Sequence, residues 1–431
     1  MFCQLDRLRR CLLPRIRQAL DELPETLDAT YERTLLDIDE ENWAYAHRLF
    51  RCIVVARRPL RVEELAEFLA FRSETGGSLT FEGEWRPENP RDMVLSTCSS
   101  LVAVIDVDGS PVMQFSHFSV KEYLTSTRII AKGPVSRYYV PLEPAHLFVA
   151  QACLSILLQL GKHVMVTKKC IEEFPLARYA GRYWTEHAEF GDVSSRIEDM
   201  IKRILNPERH HFSIWMWMHD TISDRSIDSE GPSRPKWAPL HYAAQHGFHQ
   251  VAEWLITTCA EDVNVSGNFN GWTPLHLASW FERTKVVRLL LEHGADVNPK
   301  TGGSENPLRL LTGRGGNLEV AQLLLEHGAD PSVRSSSGRD SLYMALENGQ
   351  SGLAQLLLDN GVDPNNRDVN GHTLLHVSSQ LGNPRVVQGL LELDVDVNPR
   401  DNRGRTPLQV ALYNGNEQVV QLLLQHGAIR T

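Results

Sequence analysis

The 431-residue chain carries 17 histidines and 54 acidic side chains, so metal binding and acid–base catalysis are the first chemistries to test against their spacing. His210, His211 and His219 offer metal-type ligands, but Phe212, Trp215 and Trp217 interleave with them, and aromatic packing is the more economical account of the segment. Asp106-Val107-Asp108-Gly109 is too short for a calcium loop and lies between two apolar runs. No G-x-x-x-x-G-K-[ST] phosphate loop occurs, and Gly161-Lys162-His163 lacks both the upstream glycine turn and the magnesium-binding hydroxyl. Neither a G-x-S-x-G elbow nor an H-E-x-x-H helix holds the plentiful serines and histidines in catalytic geometry. The sequence therefore predicts no enzyme, no cofactor and no small-molecule substrate.

Regular spacing appears instead in the C-terminal part. Leu240, Leu275, Leu308, Leu342, Leu375 and Leu408 recur at intervals of 35, 33, 34, 33 and 33 residues. They sit in Ala238-Pro-Leu-His241, Thr273-Pro-Leu-His276, Asn306-Pro-Leu-Arg309, Asp340-Ser-Leu-Tyr343, Thr373-Leu-Leu-His376 and Thr406-Pro-Leu-Gln409. Thr, Asn or Asp at the first position can cap a helix, and Pro at the second has its torsion preset. A second apolar run follows in each copy and ends at Gly294, Gly328, Gly361 or Gly427, the residue type that accepts a left-handed helix stop. Cys259 and Asp394 are read as the substitutes in copies one and five. A period of about 33 opened by T-P-L-H resembles the ankyrin family. The resemblance covers residues 237–431 as six repeats. It implies stacked helix pairs that share one core and leave an open flank for a protein partner. His241, His276 and His376 are expected to bond to backbone between repeats.

Structure asks least of the positions five and six after each motif leucine and of the hairpin tips. Copy two places Trp280 and Phe281 there, with Phe269 and Trp272 on the adjacent hairpin and Glu282 where glycine is usual. Two readings stay open: clustered exposed aromatics as a binding hot spot, or aromatics packed on the preceding helical region. Arg334, Arg339, Arg367, His372, Arg400, Arg403 and Arg405 come from successive hairpins, which stacking would align as a positive ridge for an acidic partner segment. Solvated loops alternating with Asp340, Asp368 and Asp401 are the plainer alternative. Tyr413 on the last first-position helix is a further candidate.

The N-terminal part reads as helices followed by a hairpin. Residues 1–50 have helical spacing, and the start within such a pattern suggests a fragment or a shortened gene product. Trp43 to Arg57 and Val62 to Leu69 read as helices; Ser100–Ile105 and Val112–Phe115 read as strands around Asp108-Gly109. The following Phe115-Ser-His117-Phe-Ser119-Val-Lys-Glu122-Tyr-Leu124, with Leu20–Glu32 and Arg58-Pro-Leu60, resembles the winged-helix region of fungal NACHT–ankyrin signalling NTPases. That resemblance implies a winged-helix-like domain at 51–135, a helical connector at 136–220 and, at His117, a remnant of a nucleotide-sensing histidine. The plainer reading of His117 is a locally hydrogen-bonded junction residue without ligand. Residues 221–236 have linker composition.

Whole-chain composition narrows the partners. Net charge is −10, with 14 basic against 20 acidic side chains in 237–431, which disfavours generic nucleic-acid binding. Seven scattered cysteines without C-x-x-C pairs suit a reducing, cytoplasmic setting. The longest apolar stretch, Ala145 to Leu160, contains His146, Gln151 and Gln159 and reads as a buried helix, so no membrane partner is expected. The expected molecule is mainly α-helical: a helical and winged-helix region followed by a repeat solenoid that binds protein.

Overall fold

The computed structural model describes residues 27–429 apart from 74–78, 99–100, 108, 163–166, 222–234, 236, 268–270, 300, 302–304, 335–338 and 394. The leucine-rich runs before Leu27, the hairpin residue Asp108, most of the linker, the candidate Phe269, and Asp394 lie outside the described residues. The chain divides into two compact units, residues 1–235 and 236–431.

In the first unit, α1 (Leu27–Leu36) and α2 (Trp43–Val55) precede β1 (Leu60–Arg61) and α3 (Val62–Glu67). The short strands β2 (Phe71–Ser73) and β3 (Leu79–Phe81) pair antiparallel. After α4 (Pro90–Cys98), β4 (Val102–Val107) and β5 (Ser110–Phe115) form a hairpin, and β1 joins it in the order β1-β5-β4, with Leu60 opposite Met113 and Val102 opposite Phe115. The turn needs Gly109, whose φ is +77° and whose N–H donates to Asp106 Oδ1 at 2.8 Å. Next come α5 (Phe118–Thr125), α6 (Leu142–Leu160), α7 (Lys168–Glu172), α8 (Ala177–Ala188), α9 (Val193–Arg196), α10 (Glu198–Leu205) and α11 (His210–Thr221). Helix α6 is apolar almost all round because it is the unit's central helix: twelve of its nineteen residues are buried.

Buried polar groups tie these elements together. Glu67 on α3 pairs with Arg86 and accepts the Leu176 N–H at 2.5 Å, although burial raises its pKa. Tyr179 accepts the Arg57 N–H at 3.1 Å and donates its hydroxyl to His187 Nε2 at 2.8 Å; His187 Nδ1 then donates to His146 Nδ1 at 2.9 Å. Burial holds both imidazoles neutral, with His146 pushed down to about 4 and His187 to about 3. Trp215 packs edge-on against Trp184 at 5.1 Å and lies 6.1 Å from Phe212, which accounts for the aromatic run around His210 and His211.

The second unit is six helix pairs. They are α12 (Pro239–His246) with α13 (His249–Thr257), α14 (Pro274–Trp280) with α15 (Thr284–Glu292), and α16 (Pro307–Thr312) with α17 (Leu318–Glu326). Then follow α18 (Ser341–Glu347) with α19 (Ser351–Asp359), α20 (Leu374–Leu381) with α21 (Pro384–Glu392), and α22 (Pro407–Tyr413) with α23 (Glu417–Gln425). All six motif leucines are buried, so each pair contributes to one continuous apolar seam.

Candidate binding surface

The repeated loops and helix starts are built mainly from backbone-directed side chains. Asn306, Asp340 and Thr406 accept the N–H of Arg309, Tyr343 and Gln409 respectively, as capping residues should. Thr273 and Thr373 depart from this expectation. In those copies the threonine N–H and hydroxyl both approach Nδ1 of the copy's own histidine, at 2.9 and 3.0 Å for His276 and 3.2 and 3.0 Å for His376. The other ring nitrogen, Nε2, then donates across the joint: His241 to Trp272 O at 3.0 Å, His276 to Glu305 O at 3.2 Å, and His376 to Arg405 O at 3.0 Å. Burial holds all three histidines below their ordinary pKa, His276 at about 4, which keeps Nδ1 free to accept.

A second set of joints was not read from the sequence. Asn298 Nδ2 donates to Gly328 O at 2.7 Å while its Oδ1 accepts the Asp330 N–H at 2.8 Å; Asn264 and Asn398 repeat the arrangement with Gly294 and Asp296 and with Gly427 and Ile429. The sequence carries its signal as an asparagine four residues beyond the stops at 260, 294 and 361, with Ser332 in that place after Gly328. The glycine stops are Gly294, Gly328, Gly361 and Gly427 as expected, with φ between +81° and +89°. In copy one the left-handed residue is Ala260, φ +51°, and not Cys259; the helix ends at Thr257, as in the other copies, and the turn after it is one residue longer.

The hairpin arginines do not form the free positive ridge. Arg334, its side chain 12% exposed, donates to Asn366 O at 2.8 Å and His372 O at 3.1 Å and faces Asp340 at 3.6 Å. Arg405 pairs with Asp401 at 2.8 Å, Arg339 with Glu347 at 3.4 Å, and His372 lies between Asp368 at 3.5 Å and Asp401 at 3.4 Å. Arg367 donates to Arg400 O, and Arg400 to Gly404 O at 2.9 Å. These cations saturate loop carbonyls and carboxylates, so most of their charge is spent inside the stack. Arg367, Arg400 and Arg403 keep exposed side chains.

Trp272, Trp280 and Phe281 are half-buried, which is neither a fully exposed cluster nor packing on the preceding helical region. Their cover comes from the next repeat: the Arg314 guanidinium lies 4.8 Å from the Phe281 ring centre and 5.6 Å from that of Trp280. Trp272 sits 6.3 Å from Trp280, stacks on His276 and donates Nε1–H to Glu305 Oε2 at 2.9 Å. Glu282 takes the left-handed turn with φ +56°, where the equivalent residues of other copies are Gly247, Gly349, Gly382 and Gly415.

A model of ankyrin repeats matches this chain in three copies, at residues 198–301, 303–368 and 342–430, together more than half of it. The chain belongs to the ankyrin-repeat family. It is similar to the azaphilone pigments biosynthesis cluster protein L of Monascus ruber, 30% identical over 64% of this chain and 61% of that one. It is also similar to the regulatory protein NPR5 of Arabidopsis thaliana, 31% identical over 28% of this chain and 29% of that one. The chain thus spans less than two thirds of either relative's length. The solved human ASB11 ankyrin repeat domain shares 28% identity over 45% of this chain and 85% of its own, with a TM-score of 0.37.

On the ankyrin stack most of the strongly exposed apolar side chains lie in the last two repeats, with Leu318 of the third repeat also exposed; of these the sequence points only to Tyr413. Tyr413 is 86% exposed and Val369, on a hairpin, 94%; Leu381 and Leu412 are also exposed at the ends of α20 and α22. In the first unit His117 caps α5: its Nδ1 accepts the Ser119 N–H at 3.3 Å and approaches Ser119 Oγ at 2.5 Å, and its ring lies against Phe118. Among the described residues no three His, Cys, Asp or Glu side chains gather as a metal site.

Proposed function

We propose that this chain is a noncatalytic scaffold whose ankyrin repeats hold a protein partner. The observation that carries this reading is the exposure of Leu381, Leu412, Tyr413 and Val369, which the stack does not need for its own packing. Apolar side chains left in solvent on an otherwise satisfied solenoid are suited to a partner's core contacts. Exposed Arg367, Arg400 and Arg403 on nearby hairpins supply a cationic rim. Cys52 and Cys153 are buried thiols outside any disulfide, which fits the cytoplasmic location we assign to it. Full-length protein carrying Leu412→Ser and Tyr413→Ser, used as bait for quantitative mass spectrometry, should retain its partner at least tenfold less than the parent. Equal retention by both would refute this placement.

A second reading is favoured by one feature of the first unit. Helices α2, α3 and α4 with the β1-β5-β4 sheet have the order of a winged helix, and His117 stands exposed at its strand-to-helix junction. We propose on this basis that the unit is the regulatory portion of a NACHT-type NTPase whose phosphate loop resides outside this chain. A P-loop core that binds this chain in an ATP-dependent manner, with binding weakened by His117→Ala, would support it; nucleotide-independent binding would remove it.

A further inference from the structure

The aromatic cluster of repeat two contains a group its own fold leaves unsatisfied. Glu282 Oε1 is buried and has no hydrogen-bond partner. It presses on Gly315, where an added Cβ would lie 2.4 Å away. A non-glycine residue also occupies the left-handed conformation here, which every L side chain with a Cβ resists. Packing explains neither choice, because glycine fills the equivalent turn in other copies without strain.

Trp280 reaches the same turn, 3.3 Å from a Cβ built on Gly313, and its ring and that of Phe281 are already covered by one cation, Arg314. Arg314 is exposed, and no described ion pair joins it to Glu282, so it rests on the rings without neutralising the acid. A carboxylate beside electron-rich ring faces attracts a cation by two independent forces, Coulombic and quadrupolar. The repeats are acidic besides, with 14 basic against 20 acidic side chains. Of the hairpin arginines, Arg334 is tied to carbonyls and Arg405 to a carboxylate, while the exposed Arg367, Arg400 and Arg403 belong to later hairpins.

We infer that Trp280, Phe281 and Glu282 form a receptor for a basic side chain, lysine or arginine, of an extended partner segment, and that Arg314 is its internal competitor. The inference rests on the repeats being a protein-binding surface and adds a second contact with its own chemistry. The partner's cation displaces Arg314 from the rings and pairs with Glu282.

The test uses full-length protein and a fluorescein-labelled ten-residue peptide of alternating arginine and glycine, with a glutamate–glycine counterpart, by fluorescence anisotropy at 150 mM salt. The basic peptide should bind at least tenfold tighter than the acidic one. Glu282→Gln, nearly isosteric, should weaken it at least fivefold. Glu282→Gly should raise the melting temperature by relieving the turn and yet weaken the peptide equally, an outcome a structural role would not give. Arg314→Ala should tighten binding at least threefold, whereas Arg403→Ala, which removes the same charge from a hairpin, should change it less than twofold. Undiminished binding by Glu282→Gln, or equal gains from the two arginine variants, overturns the receptor. The Leu412 and Tyr413 variant judges the wider scaffold reading separately, since it leaves this cluster untouched.

Discussion

The two units keep their buried polar groups by opposite means. In the repeats, most bridging side chains reach a neighbour about one period away, and the same few residue types recur: histidine to carbonyl, asparagine to glycine, arginine to hairpin. In the first unit the bridges are singular and long in sequence. Glu67 reaches Leu176, Arg57 reaches Tyr179, and His146 reaches His187. A periodic stack spreads its stability over equivalent joints, whereas a single core concentrates it in a few irreplaceable ones.

The sharpest break of that contrast is Glu67→Ala. It removes one partner of a buried pair and orphans the Leu176 amide, at a cost of about 4 kcal/mol. Hydrogen-exchange mass spectrometry should show protection falling across peptides from 27 to 221 and unchanged in the repeats. The matching lesion in the stack is Leu290→Ala, which empties a fully buried site in α15 at a cost of about 3 kcal/mol. Its effect should centre on repeat two and fade along the stack; uniform loss over all six repeats would contradict the nearest-neighbour picture.

The contrast also explains what the sequence disclosed. Period, helix pairs, most left-handed stops and the three histidine bridges were legible because each is repeated, so one copy corrects another. Where a copy deviates, reading failed: the stop at Ala260 was placed a residue early because no glycine marked it. Hairpin arginines looked like a surface because charge is visible in sequence and the carbonyls that absorb it are not. For Trp280 and Phe281 neither open reading named their cover, Arg314, because it belongs to the next copy. In the first unit the β4–β5 hairpin was announced by Asp-Gly, but nothing local announced Glu67 with Leu176 or the His146–His187 pair, whose partners lie 109 and 41 residues apart.

Acid separates the units by sign. In the folded first unit His146 and His187 protonate at about 4 and about 3, against 6.5 when unfolded. Below pH 6.5 the unfolded chain therefore binds more protons, so stability is complete above that value, falls by up to about 1.4 kcal/mol per pH unit for each histidine, and flattens only below about pH 3. The repeats carry the same tendency in His241, His276 and His376 but oppose it with Glu261, raised by burial to about 7, and Asp340, raised to about 6. Those two acids stabilise the fold in acid and lose that contribution as pH rises through 6 to 7. Rate-corrected hydrogen exchange at pH 7.5 and 5.0 should thus show the first unit loosening and the repeats nearly constant. Equal loosening of both would mean that Glu261 and Asp340 are ionised in the fold.

The smallest test concerns one gap in the periodicity. Serine replaces the bridging asparagine at position 332, and its hydroxyl turns to Asp330 Oδ1 at 2.6 Å in its own loop. Arg334, two residues on, spans that joint with its bonds to Asn366 and His372. Ser332→Asn restores a side chain long enough to reach Gly361, the counterpart of Gly328. If the joints are interchangeable parts, it should stabilise the stack by about 1 kcal/mol, read as a higher denaturant midpoint at unchanged slope. If Arg334 has already taken the joint over, the gain vanishes in the parent and returns in an Arg334→Ala background. The pair of measurements therefore separates a gap in the repeat from a substitution within it.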